Sequence, residues 1–499
     1  MPGPSFSRRK FLQAAGSIAG TSLLPPVALF GQSTVAHSQE PDSRTGDAPD
    51  YALTIAVKPI ELAPNRIIST TTYNGQFPGP LLRLKEGQQV TIDIHNQTDR
   101  PEQLHWHGQF LSTDVDGAAE EGTPFIAPHG SRRISFVPRP SGFRFYHTHV
   151  HASADLSAGQ YSGLVGPVYI EPKSHPGDYD REVFLTLKEF EPTYSRGGDM
   201  AMDFLSPATV ETSLKDKGER AMKASLAKGA PHGLEVGYGA FTINGRMLGH
   251  GEPIRVKRGE RVLFHVLNGS ATEIRSLALP GHSFTVVALD GNVLPKPTRV
   301  PGLWLGTAER VSAIVEMNHP GIWIMGDLSD DDRHHGMGIV VEYPGEKGKP
   351  QWVTPKPFRW NYAHFGGTEV VPEPDQTFDM TFAKQNAAQD GFNLWTINNV
   401  AFSEERMQTM LRLEKGKRYR LRMHNASDDI HPVHLHRHSF ELTQVAGQNT
   451  SSVMKDVVMV GGYQTAEIDF TADNPGLTLF HCHQQLHMDF GFMALFDYI

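Results

Sequence analysis

The sequence predicts an all-β fold built as three tandem copies of one strand–turn unit. Three recurrences carry that reading. First, a period-two run appears three times, as Val90-Thr91-Ile92-Asp93-Ile94, Arg261-Val262-Leu263-Phe264-His265-Val266 and Arg418-Tyr419-Arg420-Leu421-Arg422-Met423. Alternation at period two marks a half-buried strand. Each run follows a turn ending in Gly (Gly87, Gly259, Gly416) and closes on Asn with small polar residues (Asn96-Gln97-Thr98, Asn268-Gly269-Ser270, Asn425-Ala426-Ser427). Second, a shared piece lies upstream of each: Tyr73-Asn74-Gly75, Phe241-Thr242-Ile243-Asn244-Gly245 and Trp395-Thr396-Ile397-Asn398-Asn399. Third, Pro140-Ser141-Gly142, Pro320-Gly321 and Pro475-Gly476 lie downstream. A scheme repeated three times argues for a tandem β-domain, and short strands with frequent turns favour sandwiches or barrels.

Taken in order, residues 1–40 are an address. Ser7-Arg8-Arg9-Lys10-Phe11-Leu12 is a twin-arginine pattern, followed by a weakly apolar run broken at Gly16, Gly20, Pro25 and Pro26. That is an export signal and not a membrane span, which needs about 20 unbroken apolar residues. The expected location is therefore periplasmic or secreted, in a bacterium. Domains are expected over 50–172, 178–345 and 355–499. The Pro/Gly-rich stretches Glu171 to Gly177 and Pro344 to Pro350 act as joints. Ser213 to Lys228, rich in Lys, Ala and Glu, reads as a helix inserted in the middle domain.

Composition removes several classes of function. The 499 residues carry 46 Lys+Arg against 55 Asp+Glu, a net charge of −9, with no basic block. Nucleic-acid binding needs clustered cations. A single Cys excludes an intrachain disulfide and any Cys-rich zinc or iron–sulfur site.

Four histidine clusters carry the chemistry: His105-Trp106-His107, His147-Thr148-His149, His431-Pro432-Val433-His434-Leu435-His436 and His481-Cys482-His483 with His487 beyond. A strand sends residues i and i+2 to one face. Each His-x-His pair therefore aims two imidazoles together, eight in all. Two clusters lie in the first copy, two in the last and none in the middle. If the outer copies meet, the eight converge, too many for one four-coordinate zinc and suited to a multinuclear centre. Parity separates a second site. Cys482 points away from His481 and His483, His431 is out of phase with His434 and His436, and His487 follows Cys482 by five. One thiolate with two imidazoles is the ligand set of a blue-copper electron-transfer centre.

These clusters, in this order within three β-repeats, resemble the multicopper oxidase family of laccases and their relatives over essentially the whole mature chain. The resemblance implies three cupredoxin-like Greek-key domains and four coppers per chain. His431, Cys482 and His487 would hold a type 1 copper, and His105 and His434 the type 2. His107, His147 and His483 would hold one type 3 copper, and His149, His436 and His481 the other. Phe492 would occupy the axial type 1 position without coordinating, with Met493 the alternative after a one-residue slip. Asp116 would supply protons to the cluster. The second acid of bacterial relatives falls here on Met488, with Asp489 next, and Arg437 stands where the family motif has Gly. His151 and His438 extend two clusters yet fall outside the ligand scheme, and His129, His334 and His335 are expected at the surface.

The implied activity is laccase-like. Phenols or aromatic amines would give up single electrons at the type 1 copper, where His487 or His431 is expected to face solvent, and O2 would be reduced to water between domains 1 and 3. A cuprous-ion oxidase for copper tolerance is the alternative. Met200 and Met202 make too sparse a pair to suggest a Met-rich metal feed. Expected partners are a small reducing substrate and O2, with no nucleic acid, no membrane span, and the chain monomeric.

Overall fold

The computed structural model describes residues 48–172, 178–195, 211–227, 229, 232–403 and 409–499. The expected export signal, the Met200/Met202 pair and part of the first expected joint lie outside the described residues. Among the described residues no helix is long and apolar enough to cross a membrane.

Among the described residues strands pair into six sheets, two for each copy. Copies two and three share one topology, strand for strand. In copy two, Arg261–Asn268 sits between the parallel Arg181–Ser195 and the antiparallel Arg310–Glu316; in copy three, Arg418–Asn425 sits between the parallel Gln376–Gln389 and the antiparallel Thr465–Thr471. Copy one repeats the core of the scheme, with Val90–Asn96 parallel to Tyr51–Ala63 and antiparallel to Ser131–Phe136. It lacks the hairpin that Phe284–Leu289 and Phe440–Val445 begin in the other two.

The recurrent asparagines explain why the motif recurs. Asn74, Asn244 and Asn398 all adopt positive φ, a region that Asn tolerates better than most residues. Each accepts from a backbone N–H of the neighbouring strand through Oδ1 (Thr54, Thr186 and Thr381) at 2.6–2.8 Å. Each returns its Nδ2 to a carbonyl of that strand. Asn96, Asn268 and Asn425 are buried and staple the loop behind the period-two strand through two or three carbonyls. The inserted helix is present at Thr212–Ala227, and Glu211 at its start reaches Thr465 of copy three.

The three copies meet on a buried ionic network. Arg144 comes from copy one, Asp290, Glu309 and Arg310 from copy two, and Lys455 and Asp456 from copy three. All are at most 2% exposed. Arg310 grips both oxygens of Asp456 at 2.6 Å, Arg144 Nη1 lies 3.1 Å from Asp456 Oδ2, and Lys455 Nζ lies 2.9 Å from both Asp290 and Glu309. Three cations balance three anions, so removing one member leaves a buried charge uncompensated. Lys455→Met is expected to destabilise the copper-free chain by about 3–5 kcal/mol, read as a lowered midpoint in urea unfolding.

Candidate metal centre

The clusters sit on strands that face each other. In copy one, His105–His107 pairs antiparallel with Gly142–His147, His105 opposite His147. In copy three, His431–Leu435 pairs with Thr478–Cys482, His434 opposite His481 and Val433 opposite Cys482. The corresponding strands of copy two, Arg275–Ala278 and Ile322–Gly326, carry no histidine. Copies one and three then meet face to face. His107 stacks on His434 with ring centroids 3.8 Å apart, and His105 on His436 at 4.1 Å.

Among the described residues five groups follow, each with ligand atoms within 4.8 Å of one another: His105/His107/His434, His107/His147/His483, His149/His436/His481, His431/Cys482/His487 and, with an acid, His105/Asp116/His436. All eleven side chains expected from the sequence are buried. Burial first, and then the neighbouring imidazoles, pushes His107, His147, His436, His481 and His483 well below the ordinary histidine range, and His149 to about 4. Neutral imidazoles are the ligand form.

Hydrogen bonding fixes which nitrogen is free. His436 Nδ1 donates to Asp116 Oδ2 (2.9 Å) and His481 Nδ1 to the Cys482 carbonyl (2.9 Å). Their Nε2 atoms nevertheless lie 3.0 Å apart. His147 Nδ1 is spent on the Thr148 carbonyl, and its Nε2 faces His483 Nε2 at 3.4 Å. The facing lone pairs of His436 and His481, 3.0 Å apart, repel unless a cation sits with them. His105 and His434 likewise spend Nδ1 on the carbonyls of Asp116 and Asp456, leaving each Nε2 buried without a partner. His107 is the reverse: Nε2 meets Asp456 Oδ1 at 3.1 Å and Nδ1 is free. This is the arrangement of metal-bound histidines, whose second nitrogen is held by a carbonyl or carboxylate.

The thiol site follows the same logic. Ser427 Oγ donates to Asn425 Oδ1, so it accepts from His431 Nε2 at 3.0 Å. His431 Nδ1 is then a lone pair, 3.1 Å from His487 Nδ1 and 3.7 Å from Cys482 Sγ; the third side of the triangle is 3.5 Å. Burial pushes the Cys482 thiol up, so a thiolate there requires a cation. Phe492 packs on His431 with centroids 4.7 Å apart, while Met493 joins a separate apolar cluster with Leu479 and Met488. The donor set thus fits copper at both places: soft thiolate with two imidazoles at one, imidazoles alone at the other.

Family models described as multicopper oxidase match residues 56–175, 212–341 and 370–498. The chain belongs to the multicopper oxidase family. It is 29% identical to multicopper oxidase MmcO of Mycobacterium tuberculosis, over 99% of this chain and 97% of that protein. It is 24% identical to Laccase-3 of Thanatephorus cucumeris over 96% of this chain and 94% of that one. Among solved structures it superposes on the iron-import multicopper oxidase Fet3p with a TM-score of 0.72 at 19% identity, covering 90% of each chain. It superposes on a multi-copper oxidase from Pseudomonas thermotolerans with a TM-score of 0.65 at 25% identity, covering 90% of this chain and 98% of that one. Members are copper oxidoreductases with O2 as acceptor, and the three β-copies of this multicopper oxidase are cupredoxin-like.

One expectation fails. Neither type 1 candidate histidine faces solvent: His431 is 0% and His487 2% exposed. The indole of Trp395 lies 4.2 Å from the His487 ring, a cover that spacing within the histidine motif does not encode. The outlying histidines behave as expected. His129, His334 and His335 are exposed. His151 Nε2 meets Glu120 Oε1 at 2.7 Å, and His438 Nε2 meets the Tyr498 hydroxyl. The acids around the imidazoles went partly unread. Glu121 lies 3.7 Å from His436, and burial, then the charge of Asp116, holds its carboxyl well above the ordinary range. Glu120 Oε2 lies 3.7 Å from His149. Their only sequence signal is an acidic turn after Asp116. Asp489 is buried with its carboxyl raised by burial to about 6, and it accepts from Ala152 and Ser153 of copy one.

Arg437 acquires a role. Its φ of 61° lies in the left-handed region that favours Gly. Its guanidinium donates to Leu111 O in copy one and to Leu477 O, Thr478 Oγ1, Asn474 O and Pro475 O in copy three. The side chain clamps the two histidine-bearing copies together, offsetting its backbone strain. Arg437→Ala is expected to destabilise the copper-free protein by at least about 3 kcal/mol. Arg437→Gly should cost about 1 kcal/mol less, because Gly relieves the strained φ; thermal unfolding of the pair measures the difference.

Proposed function

We propose that this multicopper oxidase is laccase-like, oxidising phenols or aromatic amines one electron at a time and passing four electrons to O2. His431, Cys482 and His487 would hold the type 1 copper and His105 and His434 the type 2. His107, His147 and His483 would hold one type 3 copper, and His149, His436 and His481 the other, making four per chain. When bound, these ions supply one-electron redox chemistry and the reduction of O2 to two waters. Cys482 is covalently joined to His481 and His483, so the backbone links the two sites. The observation that carries the laccase reading is Phe492 beside the thiol site. With copper held by His431, Cys482 and His487, a neighbouring side chain that cannot coordinate, as Phe492 cannot, would favour a high potential, as phenol oxidation needs. Asp116 sets Oδ2 within 3.0 Å of His105 Nδ1 and 2.9 Å of His436 Nδ1, while its Oδ1 is buried without a partner. It is positioned to hold and deliver a proton there, with Glu121 behind it. Residues 1–40 would direct twin-arginine export, leaving a periplasmic or secreted monomer, and the three domains would run 50–172, 178–345 and 355–499.

A cuprous-ion oxidase for copper tolerance is the second reading. Asp428, 45% exposed at its side chain, gives the thiol-site face an acidic rim. The chain is also 28% identical, over 70% of its length, to a copper resistance protein A homolog of Pseudomonas syringae. Turnover of phenols in air supports the first reading; oxidation of Cu(I) alone overturns it.

Cys482→Ser is expected to abolish the blue absorption and oxidase turnover while lowering the copper count by one, by metal analysis. Asp116→Asn is expected to slow O2 consumption by about 100-fold or more while leaving anaerobic reduction of the blue site by donors intact.

A further inference from the structure

The route from solvent to the thiol site is closed by a layer of this chain's own side chains. Trp395 sits on the strand Phe392–Ile397, anchored by its backbone N–H to the Phe490 carbonyl at 2.9 Å. Its ring lies 4.2 Å from His487 and 4.9 Å from His431, and it is itself only 1% exposed. Outside it comes Lys384, its register partner on the adjacent strand, with Nζ 5.5 Å from the indole centroid. Lys384 is held over the ring by Asp428 at 2.5 Å and Asp429 at 2.8 Å. Phe392, stacked on Phe490 at 4.3 Å, closes one flank. The order from outside inward is carboxylates, ammonium, indole, imidazole.

Taking His431, Cys482 and His487 as the type 1 site, we propose that Trp395 determines donor specificity at electron entry. Its indole bars direct contact between donor and His487, so a donor reacts at the outer face of Lys384, Asp428 and Asp429 and its electron crosses the indole. Each transfer oxidises the donor by one electron and reduces the site by one. A phenol also releases its proton to solvent and leaves as a phenoxyl radical. Four such transfers, with four protons, match one O2 converted to two waters. Lys384 acts through Trp395 as a positioning residue, fixing the ring by its cation–π contact. Selection among donors then rests on potential and charge at the outer face rather than on a fitted pocket against the imidazole.

Two measurements test this. In the copper-free protein, exchange of histidine ring C2 hydrogens, followed by mass spectrometry, should show His487 protected relative to the exposed His129. Trp395→Ala should raise exchange at His487, and Trp395→Phe should raise it less. In the copper-loaded protein, anaerobic bleaching of the blue band by hydroquinone should accelerate about tenfold in Trp395→Ala, as a small ring gains the imidazole. Bleaching by hexacyanoferrate(II), a bulky outer-sphere donor, should change far less. Equal exchange at His487 and His129 in the unaltered protein would overturn the closure, even if no variant folds. So would Trp395→Ala with unchanged exchange, or with hydroquinone bleaching unchanged or slowed. Failure to turn over phenols in air, with hexacyanoferrate(II) bleaching intact, would remove the laccase reading and leave the closure of the site standing.

Discussion

The structure depends on the repulsion between buried imidazole lone pairs. His436 and His481 have each committed Nδ1 to a fixed acceptor, yet their Nε2 atoms are held 3.0 Å apart. No rotation satisfies both nitrogens, because the backbone and Asp116 hold the rings in place. The chain is therefore folded around a positive charge. Pairing of the two copy-three strands, His434 opposite His481, holds these rings together against the repulsion, while the network on Asp456, the Arg437 clamp and the stacked ring pairs hold copy one over them. A bound cation turns the same geometry from unfavourable to favourable, which couples metal affinity to the folded state.

Duplication of one β-unit makes the arrangement accessible. The strands that carry ligands in copies one and three have a counterpart in copy two, where Arg275–Ala278 and Ile322–Gly326 hold no histidine. Copy two instead contributes Asp290, Glu309 and Arg310 to the ionic junction. Arg310 grips Asp456, and Asp456 in turn holds His107 by its side chain and His434 by its carbonyl. The copy whose matching strands hold no histidine thus orients candidate ligands of both others at one remove.

The sequence displayed what spacing encodes. Period-two runs, recurrent Asn and Gly turns and the four His-x-His pairs are local, and strand geometry converts each into a direction; the fold class and all eleven candidate ligands follow. What it concealed depends on contacts between distant strands. Trp395 looks like one aromatic among many in a strand, and only the folded chain lays it over His487. Arg437 reads as an anomaly because its partners, Leu111 and Asn474 to Thr478, lie elsewhere in the chain. Glu120 and Glu121 carry no reading at all, since nothing local signals that both would be buried against histidines.

Those hidden acids bear on the charge the centre is built to hold. Asp116 Oδ1, Glu120 Oε2 and Glu121 Oε2 are buried without hydrogen-bond partners, as are several imidazole nitrogens. Each of these carboxyls has its other oxygen bonded, to His436, His151 and the Leu479 N–H respectively, so what stays unsatisfied is one buried oxygen apiece, itself a cost in a low-dielectric interior. Four multiply charged cations would reverse the sign of the region, and acids at 3–4 Å from the ligands then temper an excess of positive charge. The acids and the unpartnered nitrogens stand together where bound cations would use both, the nitrogens as donors and the acids as counter-charge.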